Sequence, residues 1–236
     1  KEFQNLTRST IPTLNYWKNR SGPKINELVR CLGFNRLKDY RLYCEYAVPS
    51  LTPRDYPSCT DLMLVSDQLT IAIEAKFTEP KYETVNDWLL KGNRPHREKV
   101  LRHWLSLIQP FARNELKPED FGDVVYQSIH RTASACAIPA DKHAMVYQLF
   151  TANYADDDTN NHYYDDLCHL KTLIRPTDNL EIGLEEIELA PNRNHVALLK
   201  RLEQADAKDI PDMIRESLAT RNLFTFKEWA YATWDV

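Results

Sequence analysis

Apolar and polar positions alternate along several stretches of the chain, which predicts β-strands there. Residues 40–48 alternate and are rich in aromatic side chains, and residues 143–150 are similarly strand-like. Between them, residues 62–65 and 69–77 read as the two arms of a β-hairpin, with residues 66–68 as its turn. The first half of the chain therefore predicts at least four strands.

Apolar residues at helical spacing predict helices between and after these strands. The first is predicted over residues 24–32 and ends at Gly33, a residue suited to a helix C-terminus. Further helices are predicted over 100–111, 124–135 and 167–173 and from 194 onward, with one more edge strand over 180–189. This order predicts an α/β fold, a central mixed β-sheet flanked by helices, in a single domain over residues 1–236. Its core would span about 24–150, and 151–236 would be a helical C-terminal extension.

A pair of acidic residues marks the predicted hairpin. Strand alternation places Glu74 and Lys76 on one face and the apolar residues Ile73 and Ala75 on the other. The hairpin would fold Asp61 back towards Glu74. Two carboxylates this close resist joint ionisation unless a cation shares them, which makes a divalent metal the natural ligand. Lys76 would then lie beside the metal, where an ammonium can orient a water or stabilise a negative oxygen.

Asp61, twelve intervening residues and then Glu74-Ala75-Lys76 on an apolar strand resemble the PD-(D/E)XK signature of restriction-endonuclease-like nucleases. The resemblance covers residues 25–147, and Thr60 stands where the signature has a proline. It implies a restriction-endonuclease-like core in which Asp61, Glu74 and the carbonyl of Ala75 hold Mg2+ (or Mn2+), while Lys76 positions the attacking water. Members of this superfamily act in restriction and phage defence.

Three further residues gain candidate roles from the resemblance. Gln127 and Arg131 are four positions apart on the predicted helix 124–135 and so share one helix face. The resemblance implies that Gln127 is a catalytic residue reaching the active site, and Arg131 would clamp a phosphate; a simple surface pair is the alternative. Glu27 would be an accessory metal ligand, or else a solvated acid on the first helix.

Other charged residues have weaker candidate roles. Glu45 would be another accessory ligand or an acid on an edge strand. The basic residues Arg94, Arg97 and Lys99 lie in and just after an irregular polar stretch, residues 78–97, which would grip nucleic-acid phosphates or remain an ordinary solvated loop. The formal net charge of −4 conceals an asymmetry: residues 1–131 hold 20 Lys and Arg against 16 Asp and Glu, whereas residues 132–236 hold 10 against 18. The motif thus lies in the basic half.

The composition of the chain narrows the classes of protein to which it could belong. With 236 residues and 43% hydrophobic residues, the chain can bury a core. No apolar run approaches the roughly 18 residues of a membrane span, so we expect no membrane partner and a cytoplasmic location. The five cysteines contain no C-x-x-C pair, and we expect reduced, mostly buried thiols. The oligomeric state stays open, a homo-oligomer included.

Three hypotheses follow from these observations. The leading one is a Mg2+-dependent nuclease acting on DNA, with RNA still open as a substrate. The second is a catalytically inactive nucleic-acid-binding or protein-interaction module on the same fold. The third is a structural subunit in which Glu74 and Lys76 form only a surface salt bridge, a common pair of small energetic value.

Overall fold

The computed structural model describes residues 2–18, 21–152 and 158–233. In these ranges the chain forms six strands, β1 (Arg41–Val48), β2 (Ser58–Val65), β3 (Leu69–Lys76), β4 (Lys142–Ala152), β5 (Leu180–Pro191) and β6 (Phe224–Ala232). The same ranges contain eight α-helices, α1 (Thr10–Trp17), α2 (Ser21–Cys31), α3 (Val85–Leu90), α4 (Arg94–Ile108), α5 (Tyr126–Cys136), α6 (Asp158–Ile174), α7 (Arg193–Leu202) and α8 (Ile210–Thr220).

The six strands form one mixed sheet in which spatial order follows chain order, β1 to β6. β1, β2 and β3 pair antiparallel, β3, β4 and β5 pair parallel, and β6 pairs antiparallel with β5. A parallel connection requires a crossover, and helices supply both crossovers. α3, α4 and α5 connect β3 to β4, and α6 connects β4 to β5. The predicted α/β fold with a central mixed sheet flanked by helices is confirmed.

Each face of the sheet packs against its own set of helices. One face, which we call the α5 face, carries α3, α4, α5 and α6 around a core that includes Trp104. The opposite face, the α1 face, carries α1, α2, α7 and α8 around a second core that includes Trp17. Since β3 is covered on both sides, all eight of its residues are buried.

Local signals in the sequence account for the boundaries of two elements. Ser66 closes the β2–β3 turn, because its hydroxyl donates to the carbonyl of Leu69 at 2.9 Å and accepts from the N–H of Leu69 at 3.0 Å. Gly33 has a φ of +88°, and the following N–H, that of Phe34, donates to the carbonyl of Val29 at 2.9 Å. Such a left-handed residue after α2 ends a helix as predicted.

The structure corrects several expectations. Residues 85–90 and 94–97 are helical, so half of the predicted irregular stretch 78–97 forms α3 and the first turn of α4. β5 is an inner strand, because β6 covers the side that was expected to be an edge. The C-terminal part therefore adds two strands as well as helices. Of the five free cysteines, two are exposed and three are half-buried, so the expectation of mostly buried thiols was wrong.

None of the described helices combines the length and the apolar character that crossing a membrane requires.

Close packing at Gly183 generates a stability prediction. A Cβ added to this β5 residue would collide with the hydroxyl and ring of Tyr231 on β6. Gly183→Ala should therefore lower the free energy of unfolding by about 1–3 kcal/mol, as overpacking does elsewhere. Urea denaturation followed by tryptophan fluorescence measures this value.

Gly22→Ala is the matched control, because a Cβ at this α2 position meets no heavy atom within 4 Å. We expect it to change the free energy of unfolding by less than about 1 kcal/mol, in the stabilising direction. In a Tyr231→Phe background, which lacks the hydroxyl, Gly183→Ala should cost less. An equal cost in both backgrounds would contradict the proposed collision.

Candidate active site

The carboxylate of Asp61 lies where the pairing of β2 with β3 ends. The antiparallel ladder reaches the pair Leu62 and Ile73. Beyond it, the N–H of Ala75 donates to Oδ2 of Asp61 at 2.8 Å. In a continued ladder this N–H would donate to a backbone carbonyl of β2, and here a side chain takes that role. The hairpin thus brings Asp61 to the end of β3 that carries Glu74, as the sequence predicted.

Glu74 is the centre of a buried cluster on the α5 face, with 3% of its surface exposed. Its Oε1 accepts from Nζ of Lys76 at 2.9 Å and from Nε2 of Gln127 at 2.7 Å. Its Oε2 accepts from Nε of Arg131 at 2.5 Å. The carboxylate therefore holds one neutral and two cationic donors, and two of the three come from α5.

Gln127 links the acid to the amine. Its Oε1 accepts from Nζ of Lys76 at 2.7 Å while its Nε2 donates to Glu74. This network fixes the orientation of the amide, because a flipped amide would turn NH2 towards the ammonium and oxygen towards the carboxylate. Gln127 and Arg131 share one helix face as predicted, and both are buried, so they are not a surface pair. The Glu74–Lys76 pair is likewise buried, which contradicts the surface salt bridge of the third hypothesis.

Three residues that the sequence analysis did not select extend the cluster towards β2. Nη1 of Arg131 donates to the hydroxyl of Ser58 at 2.7 Å, and the hydroxyl of Ser134 donates to Ser58 at 2.8 Å. The Ser58 hydroxyl lies 2.9 Å from Nδ1 of His130. His130 and Ser134 are four residues apart and so lie on one face of α5. This spacing is the pattern in the sequence that could have identified them. Ser58 follows a proline-rich loop and carried no such signal.

The two acids predicted as accessory metal ligands, Glu27 and Glu45, lie outside the Glu74 hydrogen-bond network described above. Glu27 is on α2 and pairs with Lys24 at 3.2 Å, so its described partner is a lysine one turn away. Glu45 is an exposed residue of β1, the strand at one edge of the described sheet, and has a φ of +51°. Glu45 and Asp61 both line a cavity of about 930 Å³ between the sheet, α1 and α8. Of the two, Glu45 is thus the one that shares a cavity with the motif.

The predicted phosphate-binding residues of the basic stretch lie on α4, and Lys99 and Arg94 are exposed. Arg94 pairs with Glu98 at 3.0 Å across one helical turn. The guanidinium of Arg97 lies 4.9 Å from the centre of the Trp88 ring and donates to the Trp88 carbonyl. Of Arg94, Arg97 and Lys99, Arg97 is the one that lines a second cavity together with Arg131.

Comparison with known proteins places the chain in a family. The model of a family described as a domain of unknown function, DUF6946, matches residues 1–225. The chain belongs to the DUF6946 family. No curated protein and no solved structure matches it.

The pKa values of the Asp61 and Glu74 carboxyl groups are shifted in opposite directions. Burial is the main cause that raises the pKa of Asp61 well above its usual value, and the charge of Glu74 adds to it. Burial also acts to raise the pKa of Glu74, but the charges and hydrogen bonds of Arg131 and Lys76 outweigh it and lower that pKa. Glu74 is therefore the ionised member, and Asp61 is the member whose charge the protein alone compensates poorly.

His130 is held neutral by its surroundings. Burial lowers its pKa well below the usual value, and the charges of Arg131 and Lys76 lower it further. Nη1 of Arg131 lies 3.1 Å from Nδ1 of His130, and because Arg131 can only donate, Nδ1 is the acceptor. The ring proton is therefore on Nε2. In this DUF6946 protein His130 orients Ser58 and Arg131 and does not carry charge.

The donors available to a metal are few. Among the residues that the structure describes, no group of three or more His, Cys, Asp or Glu side chains is arranged to hold an ion. Mg2+ commonly binds to one or two carboxylates and completes its shell with water and substrate phosphate. The pair Asp61 and Glu74, together with the carbonyl of Ala75, meets that smaller requirement in its donor chemistry.

The buried ion pair generates a second stability prediction. Arg131→Met should lower the free energy of unfolding by about 3–5 kcal/mol, because it leaves Glu74 buried with one cation fewer. Arg94→Met is the control, and its exposed pair with Glu98 should contribute less than about 1 kcal/mol. Guanidinium denaturation gives both values. Similar small losses in the two variants would show that Arg131 does not compensate Glu74.

The raised pKa of Asp61 predicts how stability depends on pH. The folded state binds the Asp61 proton more tightly than the unfolded state, whose Asp pKa is about 3.9. Its contribution to stability is therefore present below about pH 4 and is lost as the pH rises through the folded-state pKa. Without divalent metal, Asp61→Asn should become progressively more stable than the parent as the pH rises from 4 towards neutrality.

Unfolding curves of the parent and Asp61→Asn across this pH range measure the difference. Asp67→Asn, an exposed acid at the other end of the hairpin, is the control and should show no such trend. A difference between parent and Asp61→Asn that stays constant with pH would contradict the raised pKa.

Proposed function

We propose that this protein is a metal-dependent nuclease of the PD-(D/E)XK type, which hydrolyses phosphodiester bonds of DNA with Mg2+ or Mn2+. The observation that carries the proposal is the hydrogen-bonded set of Glu74, Lys76 and Gln127 beside the Asp61 carboxylate at the end of the β2–β3 ladder. An acid, a Glu-x-Lys strand and a polar residue on the following helix are the parts that the resemblance implies for a restriction-endonuclease-like core.

Asp61, Glu74 and the carbonyl of Ala75 would hold the metal. The raised pKa of Asp61 supports a cation there, because a divalent ion would relieve the unfavourable burial of this carboxylate beside Glu74. A bound divalent ion would lower the pKa of water at the site and neutralise negative charge on the phosphate.

Lys76 would act on the attacking water or on a phosphate oxygen. An ammonium has three N–H donors, and within the described residues two of them go to Glu74 and Gln127. The third donor remains for a ligand. Because both partners are buried and hydrogen-bonded, the amine is positioned before substrate arrives, which reduces the cost of organising the site.

Arg131 would orient the scissile phosphate. Its guanidinium holds Glu74 through Nε and Ser58 through Nη1. It also lines the neighbouring cavity, so the positive charge reaches solvent-accessible space. Among the described residues, Nε of Arg131 is engaged by Glu74 and Nη1 by Ser58 and His130, so Nη2 is the group that would donate to a phosphate oxygen next to the carboxylates.

A nucleic-acid-binding or protein-interaction module without catalysis is the second candidate. One observation favours it: both oxygens of Glu74 already hold donors, at 2.5 to 2.9 Å. A cluster satisfied in this way can serve stability alone. The two candidates differ in whether Asp61 and Glu74 bind a divalent ion.

Cleavage of supercoiled plasmid DNA tests the leading candidate. With Mg2+ or Mn2+, the parent protein should nick or linearise the plasmid, and Asp61→Asn, Glu74→Gln and Lys76→Met should each reduce the rate by about 100-fold or more. Asp67→Asn should cleave like the parent, because its exposed side chain lies at the far end of the hairpin. Equal cleavage by all four variants would refute the site assignment.

Calorimetric titration with Mn2+ separates the two candidates. The nuclease should bind Mn2+ with an affinity that falls in Asp61→Asn and Glu74→Gln and is unchanged in Asp67→Asn. DNA binding without any Mn2+ binding that depends on Asp61 and Glu74 would select the non-catalytic module.

A further inference from the structure

A cavity of about 510 Å³ adjoins the catalytic cluster on the α5 face. Its wall is formed by the loop between β1 and β2 with the start of β2, by the end of the segment between β3 and α3, by α3 and α4, and by the first half of α5. Arg131 and Ser58 belong both to this wall and to the Glu74 hydrogen-bond network. The volume falls within the range of about 300–1,000 Å³ typical of small-molecule sites. A ligand in the cavity would therefore lie directly beside the proposed scissile phosphate.

Tyrosine rings at this cavity are exposed to solvent. Tyr56 has 96% of its surface exposed and Tyr82 has 44%. Deeper in the wall, the rings of Trp88 and Tyr126 stack at 3.8 Å with an interplanar angle of 12°. Arg97 lies over Trp88, so that ring already has partners, while the two exposed tyrosines present open surfaces. Exposed aromatic rings on a concave surface are the elements that stack with unpaired bases.

The loop that carries Tyr56 is held in place. Asp55 accepts hydrogen bonds from the N–H and hydroxyl of Thr52, both at 2.9 Å. The other oxygen of Asp55 lies 2.6 Å from Nε2 of His96 on α4. Pro57 follows Tyr56 directly and restricts the backbone further. The ring is thus presented by an anchored loop, which lowers the entropy cost of binding.

The charge of the wall favours an anion. Arg54, Arg97 and Arg131 contribute three guanidinium groups. The two acids of the wall have cationic or hydrogen-bonding partners, since Asp55 is bound to His96 and Glu83 pairs with Lys91 at 2.6 Å. Guanidinium groups next to aromatic rings match the phosphate and base of a nucleotide.

We propose that this cavity binds an unpaired nucleotide of the substrate, with the base stacked on Tyr56 or Tyr82 and the phosphate held by Arg54 and Arg97. The inference rests on the proposed function in so far as nucleic acid is the substrate. Bases within a duplex are stacked on each other and do not offer their faces to a protein ring. The preferred substrate is therefore a strand with unpaired nucleotides next to the cleavage point, such as a single strand or a fork, rather than uninterrupted duplex DNA.

Binding without cleavage tests the cavity. Oligonucleotides that carry the fluorescent base 2-aminopurine at an unpaired position are titrated with protein in the presence of a chelator. Stacking should quench the fluorescence, and Tyr56→Ala and Tyr82→Ala should weaken binding of single-stranded and forked DNA. Stacking is worth about 1–3 kcal/mol per base, which corresponds to roughly 5- to 150-fold in affinity. Affinity for uninterrupted duplex should change little.

Two control variants separate stacking from general effects. Tyr56→Phe keeps the ring and should retain the parent affinity. Tyr164→Ala removes a tyrosine of similar exposure to Tyr82, at 42%, that lies on α6 and outside this cavity, and it should bind like the parent. Tyr56 is almost fully exposed, so its removal should leave the fold intact.

The outcomes distinguish this inference from the proposed function. If Tyr56→Ala and Tyr82→Ala bind single-stranded and forked DNA like the parent while Glu74-dependent cleavage persists, the cavity inference is overturned and the nuclease stands. If the parent cleaves no DNA but these variants still lose affinity for unpaired nucleotides, the nuclease fails and the cavity inference stands. If the parent binds neither single-stranded nor forked DNA, the cavity inference is overturned whatever the cleavage assay shows.

Discussion

The burial of the Glu74 carboxylate is the constraint on which the rest of the site depends. Moving an ionised carboxylate out of water is costly unless charged and hydrogen-bonding partners replace the solvent. Here the partners are Lys76, Gln127 and Arg131, and two of them require α5 to lie against β3. The same guanidinium extends the network to Ser58 at the start of β2. One buried charge thus ties two strands and a helix together.

The crossover between β3 and β4 makes this arrangement possible. Parallel strands must be joined by a long connection, and here the connection supplies three helices to one face. α5 is the last of the three and leads into β4. Its polar residues therefore lie against the C-terminal end of β3, where Glu74 and Lys76 are. The opposite face is closed by helices from both ends of the chain, α1 and α2 with α7 and α8. α1, α2, α7 and α8 therefore pack behind the sheet, and the described donors to Glu74 come from β3 and α5 on the other face.

The sequence predicted the parts of the molecule that local rules determine. Alternation identified the hairpin and the shared face of Glu74 and Lys76, and helical spacing identified the shared face of Gln127 and Arg131. These patterns depend on neighbours one to four residues apart. The roles of Ser58 and Glu27 depend instead on tertiary packing: Ser58 meets α5 over more than seventy residues of sequence, and Glu27 pairs within its own helix.

The errors of sequence interpretation have a similar cause. Residues 78–97 are polar and rich in basic side chains, which suggested an irregular loop. Instead, Thr84 and Asn93 begin α3 and α4 by accepting hydrogen bonds from N–H groups of the first turns, and Pro95 lies in the first turn of α4, where proline is tolerated. The inner position of β5 could not be read from its own residues, because it depends on β6 more than thirty residues later.

The unusual backbone of Glu45 has a consequence for the surface of the sheet. A non-glycine residue with a φ of +51° interrupts the regular extended geometry of β1 at a point where its neighbours Cys44 and Tyr46 pair with β2. β1 is the outermost strand on that side of the described sheet. A straight outer strand is a template for a foreign chain, and a local distortion removes it. The distortion at Glu45 therefore makes the outer edge of β1 a poorer template for edge-to-edge pairing with another copy of the chain.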